Sequence, residues 1–145
     1  MSTVSPYLIV TNAAEAISFY ERAFGAEELL RLNDPRGRVG HAELRFGDTV
    51  VMLADEYPDF GALAPSRLGG SPVKLHINVA DVDVALRRAV EEGATVVRVA
   101  SDEFHGHRTA MVVDPFGHSW FLSAKVADVA PKEMQRRFTA MMGGS

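Results

Sequence analysis

Apolar and polar residues recur along this chain in two periods, and the switches between them mark its elements. From Tyr7 to Val10 a short run rich in β-branched residues ends at Thr11-Asn12, after which Ile17, Tyr20 and Phe24 recur at the spacing of one helix face. Asn12 is suited to cap that helix, with Glu15 three positions on to reach back. Gly25 stands where a left-handed residue would end it. The same grammar returns in "KLHINVADVDVALRRAVEEGA": a strand, Asp81 as cap, a helix face of Val82, Leu86, Ala89 and Val90, and Gly93-Ala94 in the place of Gly25-Ala26. Strand-like runs follow each helix, "EELLRL", "GHAELRF" and "TVVMLA" in the first half, "TVVRVA", "RTAMVVD" and "SWFLSA" in the second. Each half predicts β-α-β-β-β, an internal repeat of about seventy residues.

The expected organisation is one α+β domain over 1–145: module one at about 5–56, a linker at about 57–72, module two at about 73–125 and a C-terminal helix at about 131–142. The linker, "EYPDFGALAPSRLGGSP", has glycines and prolines that resist regular structure and apolar residues that suggest packing, as a linker, a lid or both. Phe46-Gly47-Asp48 and Phe116-Gly117-His118 read as equivalent turns, and the repeat alignment pairs His41 with Met111. In the tail, Pro131 suits a first helical turn and Met134, Phe138 and Met141 fall on one stripe that must be buried on this chain or on a neighbour.

Parity along the strands sorts the polar residues. Lys74, His76 and Asn78 alternate with Leu75, Ile77 and Val79, so one set meets a helix and the other faces away. Ser5, Tyr7 and Ile9 take the equivalent places in the first copy, and His41, Glu43 and Arg45 oppose Ala42, Leu44 and Phe46. On a flat sheet the face of His41, Glu43 and His76 is simply wet; on a curled one it lines a cavity.

Composition narrows the ligand. A net charge of −4, without a long basic run, offers no surface that tracks phosphates, so nucleic acid and membrane are not expected partners and a small molecule is. The chain has no cysteine, which removes disulfides, thiolate nucleophiles and zinc-thiolate sites. No export signal or run of eighteen apolar residues is legible, and the expected location is cytoplasmic. There is no G-x-S-x-G elbow, P-loop or dinucleotide glycine pattern.

The segments "PYLIV", "AISFYERAFGAE", "GHAEL", "GDTVVMLAD", "VADVD", "EEGATV" and "DPFGHSW" resemble the vicinal oxygen chelate superfamily, the group of glyoxalase I, extradiol dioxygenases and bleomycin-resistance proteins, and more closely its PhnB-like branch; the likeness covers about residues 5 to 130. The resemblance implies that the paired modules form a cupped eight-stranded mixed sheet with helices outside. It also implies a homodimer, with the tail as a possible contact. Metal enzymes of the group take ligands from the first and last strand of each module, and these positions fall on Ser5, Met52, Lys74 and Phe121, a poor set for a divalent ion. The expectation is therefore no metal cofactor; the alternative is one divalent ion on a relocated set of His41, Glu43 and His76.

The expected ligand-binding residues are Tyr7, His41, Glu43, Met52, Lys74, His76, Asn78, Phe104, Arg108, Met111 and Phe121, with Phe104 and Arg108 in "SDEFHGHRTA" placed to stack on and clamp an aromatic or anionic group. Two functions compete. One is metal-independent binding of an aromatic or cationic small molecule. The other is a lyase or isomerase with Glu43 as base and His41 and His76 as acid or polarising groups. A structural or regulatory dimer is a third reading, with no specific residue in its favour.

Overall fold

The computed structural model describes residues 3–143. Module one runs β1 (Tyr7–Val10), α1 (Ala13–Phe24), β2 (Glu27–Asn33), β3 (Val39–Phe46) and β4 (Thr49–Asp55). Module two repeats it as β5 (Lys74–Asn78), α3 (Val82–Glu91), β6 (Thr95–Asp102), β7 (His107–Val113) and β8 (Ser119–Lys125). Between them lie a 3-10 turn, Pro58–Phe60, and the single-turn helix α2 (Pro65–Leu68); α4 (Pro131–Met141) ends the chain. The eight strands form two four-stranded mixed sheets of identical order, β1-β4-β3-β2 and β5-β8-β7-β6, with the first strand of each parallel to the last. The α+β fold of tandem β-α-β-β-β modules is thus observed, and the eight strands come as two halves of four.

The caps form where the sequence places them. The Asn12 side chain accepts from Glu15 N and that of Asp81 from Val84 N, while Gly25 closes α1 at φ 72°. Asp55 adds a tie that periodicity does not reveal: one carboxylate oxygen takes Ala13 N at 2.8 Å, the other Val39 N at 2.7 Å, binding the start of α1 to β3.

Helix α1 serves both modules. Its buried face of Ala13, Ala16, Ile17, Phe19, Tyr20 and Ala23 covers Leu8, Val10, Ala42, Leu44 and Leu53 of the first sheet, and its aromatic rings reach Trp120 of the second sheet and Phe116 in the turn between β7 and β8. Trp120 also stacks on Phe46 at 5.5 Å between ring centres. The helix-facing sides of the two sheets therefore share one core, with Trp120 inside it. Burying this continuous apolar set is the main term holding the modules together.

The two turns paired by the repeat join the same strands of their modules but differ in length. Gly47-Asp48 is a two-residue hairpin between β3 and β4, whereas the β7–β8 connection spans five residues, 114–118. In conformation, Asp114-Pro115-Phe116-Gly117-His118 instead matches Asp34-Pro35-Arg36-Gly37-Arg38, the turn between β2 and β3. In both, the aspartate N bonds to the carbonyl four residues on and its carboxylate accepts from the backbone N of the third and fifth turn residues. Because the hairpins differ in length, strand register decides equivalence. Tyr7, Met52 and Glu43 form one row across the first sheet and His76, Phe121 and Met111 the matching row across the second. Met111 is thus the counterpart of Glu43, and His41 that of Thr109.

Candidate functional site

The face of each sheet left open by its helix carries the candidate residues. On the first sheet, β1, β3 and β4 are adjacent, and alternation sends Tyr7, His41, Glu43 and Met52 to the side opposite Ala42, Leu44 and Leu53. Three of the four are joined. Tyr7 Oη lies 2.9 Å from His41 Nδ1, and His41 Nε2 lies 2.9 Å from Glu43 Oε2. A carboxylate accepts only, so Nε2 carries the imidazole proton toward Glu43; Nδ1 is then an acceptor, and the Tyr7 hydroxyl donates to it. Partial burial, with the nearby Glu43 charge second, raises the Tyr7 phenol above its usual value, so the hydroxyl keeps its proton.

On the second sheet, His76, Phe121 and Met111 form a row that Arg98 extends, its guanidinium carbon 5.5 Å from the Phe121 ring centre. Asn78 lies in the next row with Ser123 and Thr109, and Lys74 one row the other way, beside Ser119. Arg98 was not anticipated: "TVVRVA" shows no clean alternation because β6 carries two register shifts, after Val96 and after Arg98.

Other expected residues do not join these rows. Arg108 points to the helix side, where its guanidinium takes both Asp83 oxygens, at 3.1 and 3.0 Å, and Asp102 at 3.1 Å; it straps α3 to the β6–β7 hairpin. Phe104 lies in that hairpin and packs on Phe138 of α4 at 5.5 Å. His76 belongs to the other sheet from His41 and Glu43 and lines a cavity of about 540 Å³ between the modules with Phe24, Phe46, Val84, Arg88 and Trp120. Within one chain the set His41, Glu43 and His76 is not assembled, and among the described residues no three His, Asp or Glu side chains converge on a metal position. The inherited ligand positions do not fit an ion either. Met52 and Phe121 occupy the central strand positions of the two open faces, and a thioether and a phenyl ring offer nothing to a hard divalent cation, nor does the lysine ammonium at position 74.

The linker is a wall rather than a free connection. Tyr57 Oη donates to Asp34 at 2.9 Å with Arg38 over its ring, and Glu56 accepts from Ala64 N and Arg67. Pro65 then seats against Gly117, whose φ of 92° and lack of a side chain admit it; a Cβ there would stand 2.8 Å from Pro65. Leu63, Pro65, Leu68 and Pro72 thereby close, with Tyr7, Ile9 and His118, a groove of about 170 Å³. His118 Nε2 donates to the Ile9 carbonyl at 2.9 Å and fixes the edge of β1 beside it. The linker's glycines and prolines signalled irregular structure, but nothing in them told which strand it would cover.

Comparison with known proteins agrees with this architecture. The family model of the Glyoxalase/Bleomycin resistance protein/Dioxygenase superfamily matches residues 3–122, and the chain belongs to that superfamily. A Mycobacterium bovis protein, described as uncharacterized, is 42% identical over 144 residues, spanning 97% of this chain and 95% of its own. The crystal structure of TioX from Micromonospora sp. ML1 superposes with a TM-score of 0.64 at 28% identity, covering 89% of this chain and all of TioX. A lactoylglutathione lyase of Neisseria meningitidis is 28% identical over 130 residues, 88% of this chain and 94% of the lyase. No helix among the described residues is long and apolar enough to cross a membrane.

Proposed function

We propose that this protein binds a small aromatic molecule on the open sheet faces, without a divalent metal, and that it does so as a homodimer. The observation that carries the reading is the Tyr7–His41–Glu43 chain on an open face whose inherited metal positions hold Met52 and, on the matching face, Phe121. Such a face offers an aromatic ring, a thioether and an oriented polar chain, which together suit an organic ligand. In support of a second copy, the first sheet leaves Leu30 and Leu32 exposed in the same rows as Glu43 and His41. Exposed apolar residues beside an oriented polar site support a face that a second copy covers. Pairing this face with the Phe121–Arg98 face of the partner subunit would complete a cup and bring carboxylate and guanidinium to opposite sides of one ligand.

Two blocking variants test this. Met52→Arg on one face and Phe121→Arg on the other should each abolish binding of an aromatic fragment set followed by ligand-observed NMR. After subunit exchange between the two variants, one intact site per mixed dimer should return. No recovery in verified mixed dimers would place the site within one chain, and a monomer at working concentration would remove the dimer. The lyase or isomerase reading, with Glu43 as base and with or without a metal, predicts turnover of an α-ketoaldehyde–thiol adduct; among the described residues no metal donor set supports its metal-dependent form.

A further inference from the structure

The three-residue chain and the groove beside Tyr7 together specify more than a hydrophobic ligand. The donation pattern leaves Tyr7 Oη with its proton committed to His41 and its lone pairs free, while the residue is 46% exposed. A ligand meeting that oxygen must bring a donor. The adjoining groove of about 170 Å³ is walled mostly by apolar groups, Tyr7, Ile9, Leu63, Pro65 and Leu68, with Ser71 and His118 as its polar members. An apolar cavity of about 150 Å³ holds benzene, so the space suits one aromatic ring.

We propose that the Tyr7–His41–Glu43 chain is a proton acceptor for a single-ring phenolic ligand seated in this groove and holds that ligand as its phenolate. This rests on the binding reading above and names its ligand class. The transfer balances without a co-reactant. The ligand O–H bond breaks and its proton goes to Tyr7 Oη, as the proton of Tyr7 goes to His41 Nδ1. The imidazolium so formed keeps its Nε2–H on Glu43, whose carboxylate offsets the new positive charge. Tyr7 ends as it began, a neutral phenol, now donating to the phenolate. Without the imidazole, the same carboxylate would oppose an anion beside it. Relay and simple electrostatics therefore predict opposite signs.

The probe is 4-nitrophenol, yellow only as the phenolate, with 4-nitroanisole and benzylamine as ligands lacking the acidic hydroxyl. At the pH where free 4-nitrophenol is half ionised, saturation with the protein should raise its phenolate-to-phenol ratio about tenfold, the equivalent of one pKa unit. Tyr7→Phe, which keeps the ring and the groove, should leave the ratio near one; His41→Phe should drive it below one. Thermal midpoints of both variants verify that they fold. Nitrophenol bound as the neutral phenol, or 4-nitroanisole or benzylamine bound as tightly, overturns the relay while leaving a binding site standing. Failure of all three probes to bind overturns the phenolic assignment, and the fragment set then decides the broader binding reading separately.

Discussion

Tyr20 Oη donates to Asp114 Oδ2 across the two modules, at 2.5 Å and 94 positions apart in sequence. Trp120 Nε1 reaches the same oxygen at 2.9 Å, and the other oxygen holds Phe116 N and His118 N. One buried carboxylate therefore closes the β7–β8 turn and clasps α1, so the aspartate that shapes a local turn also sets how the modules sit. Tyr20→Phe removes one donor and leaves Asp114 with its other three. It should lower stability by roughly 1 to 3 kcal/mol, read as a shift of the denaturant midpoint at unchanged m-value.

The same bond sets an alkaline limit. Burial first, then the Asp114 charge, holds the Tyr20 phenol well above its ordinary value of 10. A raised folded value means that the stabilisation is full below pH about 10 and is lost as pH rises beyond it. At the acid end, desolvation of Asp34 is outweighed by hydrogen bonds from Tyr57, Arg38 and Arg36, which hold the carboxyl at about 2 against an ordinary 3.8. Its share is present above 3.8 and falls away toward 2. Melting curves of Tyr20→Phe should accordingly lose part of the alkaline decline, and those of Asp34→Asn part of the acid one.

Two glycines report on packing against the second module. A Cβ at Gly106, where φ is 91°, would clash with the Ala127 carbonyl. Val126 N and Ala127 N both bond to Gly106 O there, so the chain leading to α4 is strapped over this residue. Gly106→Ala should cost roughly 1 to 3 kcal/mol from the strained conformation alone and loosen the Phe104–Phe138 contact, seen as faster amide exchange in α4. Gly117→Ala carries the same backbone strain at a φ of 92° and also pushes Pro65 away, so it should lower thermal stability to a similar extent and, in addition, widen the groove at Tyr7 and weaken ligand binding there.

Removing residues from Pro131 onward should leave both sheets folded, since α4 buries no residue fully and docks through Phe138 on Phe104 and Arg137 on the Phe104 carbonyl. The truncation should expose Phe104 and raise binding of an apolar dye. If the tail also spans the proposed dimer, sedimentation will show a weaker association; an unchanged dimer with unchanged dye binding would make the tail dispensable.

Glu43→Gln keeps the shape of the Tyr7–His41–Glu43 chain and removes its charge. Affinity for a bound aromatic should fall by roughly 1 to 3 kcal/mol, the worth of a charge-assisted hydrogen bond, with the fold intact by circular dichroism. Arg31→Gln is the control, because Arg31 is paired with Glu28 and sits opposite Ala42 on the helix side. Zinc, nickel or manganese should leave the thermal midpoint unmoved. One tightly held ion per chain, lost in His41→Ala, would count against the metal-free reading.

The sequence alone determined what depends on near neighbours. Alternation along β1, β3 and β4 put Tyr7, His41 and Glu43 on one face, and the helix period buried Ile17 and Tyr20. Asn12, Asp81 and Gly25 marked helix ends because caps act within three or four residues. Tertiary structure decided whatever depends on distant partners. A guanidinium goes to whichever carboxylates the fold brings near, so Arg108 was spent on Asp83 and Asp102 rather than on a ligand. His76 followed its strand into the second sheet, away from the His41–Glu43 pair that its residue type seemed to match. The linker acquired a role when Gly117, having no Cβ, let Pro65 settle beside Tyr7. Periodicity reports which side of an element is covered; which surface covers it is fixed by long-range packing, and that is where the groove and the clasp on Asp114 arise.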